Sequence, residues 1–140
     1  MEGQKWFYSE KVKEHFFKPR NFLDDKKAKK YRADGIGIIG SPVCGDVMKV
    51  WIKVDKKKER IREMKWQTFG CASAIASTSV LSEMVAEKGG MKIDDAMNMK
   101  PQEIIARLHG LPAIKIHCSV LGNDGLKEAI KDYYKKSGRK

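Results

Sequence analysis

The sequence predicts an α+β fold in which a small antiparallel β-sheet of about three strands has several helices packed on one side. Two periodic patterns along the chain support this prediction. Residues 47–54 alternate between apolar and polar side chains, as in a half-buried strand, whereas residues 71–88 place small and apolar side chains at helical spacing. A chain of 140 residues suits one domain, so we expect a single domain spanning 1–140.

The N-terminal segment predicts the first helix. Ser9 is a candidate N-cap, Val12 and Phe16 are four residues apart, and Pro19 ends the pattern. Three aromatic residues precede the cap, and they either staple the helix start to the core or form an exposed contact, including one with a second copy of the chain. They are Trp6, Phe7 and Tyr8.

The strands follow a basic connector over residues 26–31. The glycine-rich segment "ADGIGIIGSPVCG" predicts a bent strand and a loop where backbones approach closely. No helix-forming run follows it, which argues against a dinucleotide-binding loop. The alternating segment "VMKVWIKV", the polar turn "DKKKER" and the return strand "IREMKWQTF" complete an antiparallel meander.

The rest of the chain predicts helices. In "CASAIASTSVLSEMVAEKGG" one helical face carries Ala74, Thr78, Leu81 and Val85, and the two final glycines stop the helix. The segments "KIDDAMNM" and "KPQEIIARLHG" predict two short helices. In the last helix we expect Gly122 and Gly125 to loosen the start, before an apolar face formed by Leu126, Ala129, Ile130, Tyr133 and Tyr134.

Composition restricts the functional class. The net charge of +11 favours acidic partners, but no RNA-binding aromatic signature, zinc-finger spacing or P-loop accompanies it, so nucleic-acid binding is not favoured. No apolar run approaches the ~20 residues that a membrane helix needs. The N-terminus has no apolar signal-peptide core, and the three cysteines are an odd number at wide spacing. We therefore expect a cytoplasmic protein with reduced thiols and no membrane partner.

All three cysteines stand at element boundaries. Cys44 precedes a strand, Cys71 joins a strand to a helix, and Cys118 joins a loop to a helix; Asp46 and His117 lie within two residues of a cysteine. A helix N-terminus favours thiolate, which is both a nucleophile and a metal ligand. Two interpretations stay open. Either the cysteines form a metal site with Asp46 or His117 as fourth ligand, or they are separate buried residues and Asp46 caps its loop.

The spacing of these residues also bears on the kind of metal site. A sulfur-rich tetrahedral site takes zinc or an iron–sulfur cluster, yet the paired C-x₂-C hooks common in structural zinc sites are absent from the sequence. Three isolated ligand loops suit a labile site more than a permanent one. The other two histidines, His15 and His109, are expected to be ordinary surface residues.

Four ordered blocks of the chain resemble the IscU/NifU-type iron–sulfur cluster assembly scaffolds (the NifU N-terminal domain family). They are "KVKEHFFKPRN", "ADGIGIIGSPVCGD", "TFGCASAIAS" and "LPAIKIHCSVLG", and together they hold all three cysteines. The resemblance implies a scaffold rather than an enzyme. Such a protein accepts persulfide sulfur from a cysteine desulfurase and iron from a donor or regulator protein. It builds a [2Fe–2S] cluster and transfers that cluster to apo-proteins.

The resemblance also implies roles for individual residues. Cys118 matches the persulfide acceptor. Lys115 is an auxiliary candidate that either supplies positive charge near the thiolates or is simply exposed. The matching cluster ligands are Cys44, Cys71 and Cys118, with Asp46 or His117 as the fourth. A related alternative is a zinc-bound sulfurtransferase that accepts persulfide, with zinc also the metal expected in a protein isolated without its cluster. A remote alternative is a basic nucleic-acid-binding module with a structural metal.

One segment departs from the family's pattern. In the family, "LPPVK" before the third cysteine contacts an ATP-driven chaperone, whereas this chain reads "LPAIK". Ala113 replaces the second proline, which puts the chaperone contact in doubt. The residues concerned are Leu111, Pro112, Ala113, Ile114 and Lys115.

Overall fold

The computed structural model describes residues 10–41, 46–68, 72–107 and 120–137. These ranges contain six helices and four strands, and they confirm the predicted α+β class. In chain order the elements are α1 (Glu10–Phe17), α2 (Asp25–Lys30), β1 (Gly35–Ser41), β2 (Asp46–Asp55), β3 (Arg60–Thr68), α3 (Ala72–Ala86), β4 (Met91–Lys92), α4 (Ile93–Met97), α5 (Pro101–Arg107) and α6 (Val120–Lys136).

The sheet is antiparallel, with strand order β1-β2-β3-β4. The described part of the chain therefore has one strand more than predicted. β4 has only two residues, which pair with Arg60 and Ile61, and two residues are too few to show a strand period. Gly90 sets up this pairing: its φ is +98°, and a Cβ there would lie 2.3 Å from the carbonyl oxygen of Ile61.

One face of the sheet forms the core, and α3 and α6 pack against it. The predicted alternation of β2 is confirmed, because Met48, Val50, Ile52 and Val54 all point into this core and are buried. The predicted face of α3 is buried too, and so is that of α6 except for Tyr134, which is half-buried. The helical period thus predicted the buried side of α6. In α3 every residue from 76 to 82 is buried, so burial does not single out one face of that helix.

The start of α6 differs from the expectation. The helix is continuous from Val120, and its two early glycines are packing contacts rather than a loosened turn. A Cβ on Gly122 would lie 2.5 Å from Oγ1 of Thr78 in α3, and one on Gly125 would lie 2.8 Å from Cγ2 of Val50. On the strand side, a Cβ on Gly37 would lie 2.3 Å from the carbonyl oxygen of Gly125. Glycine thus lets the helix backbone lie directly on β1 and β2.

The basic connector contains a short helix that the sequence did not predict. Asp24 caps α2, because its carboxylate accepts a hydrogen bond of 2.8 Å from the backbone N–H of Lys27. Both ends of α2 are tied to the sheet face opposite the core, which is called the outer face below. Gln67 Nε2 donates to Asp25 Oδ1 over 2.9 Å, and Tyr31 donates its hydroxyl to Glu63 over 2.7 Å.

Candidate functional site

Most of the predicted site residues lie outside the described residues. This holds for Cys44, Cys71, Lys115, His117 and Cys118, as it does for His109, for Trp6 to Tyr8 and for the rest of the "LPAIK" segment. Asp46 is described through its backbone, which begins β2 and pairs with Ser41 at the end of β1. The metal-site prediction therefore stays a prediction, and the structure bears on it through the elements that flank these residues.

Three strand ends meet at one edge of the sheet. Ser41, which ends β1, is the register partner of Asp46, which begins β2. Thr68, which ends β3, is the register partner of Met48, and its hydroxyl donates to the carbonyl oxygen of Val47 over 2.7 Å. The segment containing Cys44 connects the first pair, and Cys71 follows Thr68 by three residues.

The first turn of α6 lies at the same edge. A side chain on Gly35 would meet Ala129 and Tyr133, whereas one on Gly37 would meet Gly125 and Ala129, so α6 runs antiparallel to β1. The beginning of α6 is therefore directed towards the end of β1, and Cys118 precedes Val120 by two residues. We call this region the convergent edge and define it by Ser41, Asp46, Thr68, Ala72 and Val120.

Asn123 fixes the beginning of α6, and the sequence did not single it out. It is 1% exposed, and its Nδ2 donates to the carbonyl oxygen of Met99 over 3.0 Å, which ties α6 to the chain between α4 and α5. Its Oδ1 is buried and has no partner among the described residues. The available signal was an asparagine on the apolar side of an amphipathic helix, three residues before Leu126 and five after Cys118. Asn123 thereby holds the element that follows the third cysteine.

A second polar cluster joins α1 to α3, and it corrects the expectation that His15 is a surface residue. His15 is 2% exposed, and its Nδ1 lies 2.7 Å from Oγ of Ser79. Ser79 Oγ accepts the backbone N–H of Arg20 over 2.8 Å, so its own proton is available for Nδ1. The other ring nitrogen, Nε2, lies 3.4 Å from Glu83 Oε1. This arrangement fits a neutral imidazole with its proton on Nε2.

The same cluster is structural rather than hydrolytic, although it contains a serine, a histidine and a glutamate. Ser79 is fully buried, and its hydroxyl is already engaged by two hydrogen bonds. Burial lowers the pKa of His15, and this outweighs the opposing attraction of Glu83. The cluster therefore holds α1 against α3. In the described part of the chain, the Ser79 hydroxyl is not accessible to a substrate.

The remaining described surface offers no metal centre. Across residues 10–41, 46–68, 72–107 and 120–137, no group of three or more His, Cys, Asp or Glu side chains could hold a metal ion. A groove of about 430 Å³ runs between β1 and α6, but its carboxylates already have hydrogen-bond or ion-pair partners nearby. Asp132 accepts the backbone N–H of Ile36 over 2.8 Å, and Glu128 pairs with Lys131 over 3.2 Å. The same ranges contain no helix that is long and apolar enough to span a bilayer.

Comparison with known proteins gives a consistent result. The family model described as "NifU-like N terminal domain" matches residues 7–140. The "Iron-sulfur cluster assembly scaffold protein IscU 1" of Archaeoglobus fulgidus is 46% identical over 134 residues, covering 94% of this chain and 80% of the relative. The "Iron-sulfur cluster assembly scaffold protein IscU" of Aquifex aeolicus is also 46% identical over 134 residues, covering 94% and 79%.

Solved structures agree on the fold. The N-terminal part of a "Nitrogen-fixing NifU-like protein" from Brucella abortus matches with a TM-score of 0.70, over 93% of this chain and 96% of that one. Its sequence identity is 18%, so this likeness concerns the fold alone. The resemblance found in the four sequence blocks is thus confirmed, and the chain belongs to the family of NifU-like N-terminal domains.

Proposed function

We propose that this chain is a scaffold on which iron–sulfur clusters are assembled and from which they are passed to other proteins. The observation that carries the proposal is the convergent edge, since the described residues that flank all three cysteines belong to elements meeting there. The names of the relatives at 46% identity support the same role. The proposal treats residues 1–140 as one scaffold domain, which the single shared core supports.

The proposed cargo is a [2Fe–2S] cluster bound by three thiolates and one harder ligand. Cys44, Cys71 and Cys118 supply the sulfur ligands, and Asp46 or His117 supplies the fourth. Thiolates are strong ligands for iron–sulfur clusters, whereas a carboxylate oxygen or imidazole is a replaceable one. A cysteine of the recipient protein can displace this fourth ligand first, which gives transfer a defined starting point.

Sulfur reaches the scaffold as the outer sulfur of a persulfide on a cysteine desulfurase. The Cys118 thiolate attacks that sulfur, the sulfur–sulfur bond of the desulfurase breaks, and the desulfurase cysteine leaves as a thiolate. Cys118 then carries the persulfide, and the release of each sulfide requires two electrons. For two sulfides, the two ferrous ions supply two of the four electrons as they become ferric, and a separate thiol or one-electron reductant supplies the other two. Lys115 would supply positive charge that favours the thiolate form. An iron donor protein, the desulfurase and apo-proteins are the partners that this sequence of steps requires.

The test is anaerobic reconstitution with ferrous iron, cysteine and a catalytic amount of desulfurase. We expect a coloured protein with sulfur-to-iron charge-transfer bands and about two irons and two sulfides per cluster. Single replacements of Cys44, Cys71 or Cys118 by Ser should each abolish the stable cluster, whereas the neighbouring replacement Ser119→Ala is the matched control. Asp46→Ala should leave the fold intact but slow the transfer of the cluster to an apo-protein.

The zinc-bound sulfurtransferase is the alternative outcome of the same experiment. A colourless protein that holds one zinc per chain, takes up no sulfide and still accelerates the desulfurase would overturn the cluster-scaffold proposal. If Asp46→Ala unfolds the chain without affecting the cluster, Asp46 caps its loop and His117 becomes the candidate fourth ligand.

A further inference from the structure

The outer face of the sheet carries a concentration of positive charge. Four lysines lie within the six residues of α2, and every one of them is exposed. Lys49, Lys53 and Lys65 project from β2 and β3 on the same face, because they alternate with the buried core residues of those strands. We call this set the basic face; its members are Lys26, Lys27, Lys29, Lys30, Lys49, Lys53 and Lys65.

The basic face has a fixed position relative to the sheet. Gln67, which ties the start of α2 through Asp25, is the residue before Thr68 and therefore adjoins the convergent edge. At the other end of α2, the Tyr31 ring lies 4.6 Å from Lys53 Nζ, a cation–π contact. The positive charge thus extends across the outer face from a point beside the convergent edge.

Within the described part of the chain, the lysines of α2 lack the ion pairs that several lysines on α1 and α6 have. Lys13 lies 2.6 Å from Glu10, Lys131 lies 3.2 Å from Glu128, and Lys136 lies 2.9 Å from Asp132. Across the described ranges, no carboxylate comes within ion-pair distance of the ammonium group of any α2 lysine. The positive potential of this surface is therefore not cancelled by neighbours.

This arrangement does not favour the stability of α2. Lys26 is three residues from Lys29 and four from Lys30, and Lys27 is three from Lys30, so like charges lie side by side on the helix surface. The helix has no buried residue that would offset this repulsion. The lysines therefore bury no surface of their own, and the hydrogen bonds at the two ends of α2 fix their position on the outer face.

We propose that the basic face is the docking surface for an acidic segment of a partner protein. Two observations favour a polypeptide over a nucleic acid. Single-stranded nucleic acids need exposed aromatic rings for stacking, but on this face Trp51 is 7% exposed and the Tyr31 ring is occupied by Lys53. In addition, Asp24 and Asp25 lie directly before the four lysines, where their negative charge would repel a phosphate backbone but suits the mixed charges of a protein surface.

The proposal is tested with two variants of equal net charge. One replaces Lys26, Lys27, Lys29 and Lys30 of α2 by Ala. The matched control replaces four lysines that are ion-paired on α1 and α6, namely Lys11, Lys13, Lys131 and Lys136, by Ala. Circular dichroism and thermal unfolding verify that both variants fold. The probes are a fluorescein-labelled oligoglutamate peptide and a labelled duplex DNA of equal charge, titrated by fluorescence anisotropy at several salt concentrations.

We expect the unaltered protein to bind oligoglutamate with an affinity that falls as salt rises. Loss of the α2 lysines should weaken this binding roughly tenfold or more, as expected from several small ion-pair contributions acting together, whereas the control should lose less than about threefold. Equal losses in the two variants, absence of peptide binding, or binding of DNA in preference to the peptide would each overturn the proposal. The titrations use protein without iron or sulfide, so their outcome is independent of the proposed cluster chemistry.

Discussion

The two faces of the sheet are built by different means. On the core face, α6 approaches so closely that hypothetical Cβ atoms on Gly35 and Gly37 would lie 2.2 and 2.3 Å from helix carbonyl oxygens. On the outer face, α2 buries none of its residues and is held by a few side-chain hydrogen bonds at its ends. The core face therefore depends on shape, whereas the outer face depends on individual polar contacts and on charge.

This difference separates two tasks. The convergent edge requires that the ends of β1, β3 and the beginning of α6 keep fixed distances, and close packing gives that rigidity because a packed core has little free volume. A surface that recognises a partner needs exposed charge instead. Substitutions on the core face should therefore affect folding and every function together, whereas those on the outer face should affect recognition with little change in stability.

The largest effect is expected from Gly37→Ala. The added Cβ would lie 2.3 Å from the backbone oxygen of Gly125, so β1 or α6 must shift, and we expect a loss of about 3 kcal/mol in the free energy of unfolding. Urea denaturation measures this. Ile38→Ala is the control in the same strand: its side chain is 61% exposed, and its effect should stay within about 0.5 kcal/mol. Equal effects at both positions would contradict the close-packing argument.

The stability that comes from the packing of α1 against α3 should depend on pH. Burial lowers the pKa of His15 in the folded state, so the unfolded chain binds a proton more readily. The stability contributed by neutral His15 should be present above the unfolded pKa of about 6.5 and decrease as the pH falls below it. Urea unfolding at pH 7.5 and at pH 5.5 measures this change.

His15→Gln is the control for this pH dependence, because glutamine does not titrate. We expect the variant to be less stable at pH 7.5 and to show a smaller difference between the two pH values. A variant with the full pH dependence of the unaltered protein would assign the effect to another group.

A smaller effect is expected from Tyr31→Phe on the outer face. The substitution removes the hydrogen bond of 2.7 Å to Glu63 but keeps the ring under Lys53, so we expect a loss of about 1 kcal/mol. Hydrogen exchange of the α2 amides should accelerate. Exchange of the buried β2 amides should change only as much as the loss in the free energy of global unfolding requires. Uniform acceleration throughout the chain would show that α2 is not a separate, weakly held element.

The smallest effect on stability is expected from the α2 lysines themselves. Replacing Lys26, Lys27, Lys29 and Lys30 by Ala removes like-charge repulsion and exposes no buried group, so the free energy of unfolding should stay constant or rise by a few tenths of a kcal/mol. Thermal unfolding checks this. A marked loss of stability would mean that these lysines have a structural role, and the comparison of the two faces would then fail.

Much of the fold could be predicted from the sequence because it depends on local periodicity. The alternation in β2 and the helical spacing in α6 predicted which side of each element is buried, and Pro101 was placed at the start of its short helix. The two-residue strand β4 and the six-residue helix α2 were missed, since neither is long enough to show a period. For the candidate site, the family motifs named the residues, and their roles remain proposals.

Other features depend on contacts between distant parts of the chain. His15 was misjudged because its environment is set by Ser79 and Glu83, which lie more than sixty residues away in α3. Gly122 was read as a flexible helix start, although it fits beside Thr78. Asn123 was overlooked because its partner, the carbonyl of Met99, comes near only when α4 and α6 have packed. No local sequence pattern indicates any of these contacts.

The sequence by itself determined the α+β class, the buried sides of the main elements and membership of the NifU-like family, because periodicity and motifs are properties of the chain order. Only the tertiary structure decided that the strand ends and the helix start flanking the three cysteines share one edge, and that the α2 lysines share a face with those of β2 and β3. The physical reason is that the first arrangement follows from strand register and from the close approach of α6 to β1. The second follows from the hydrogen bonds that Gln67 and Glu63 make with the two ends of α2.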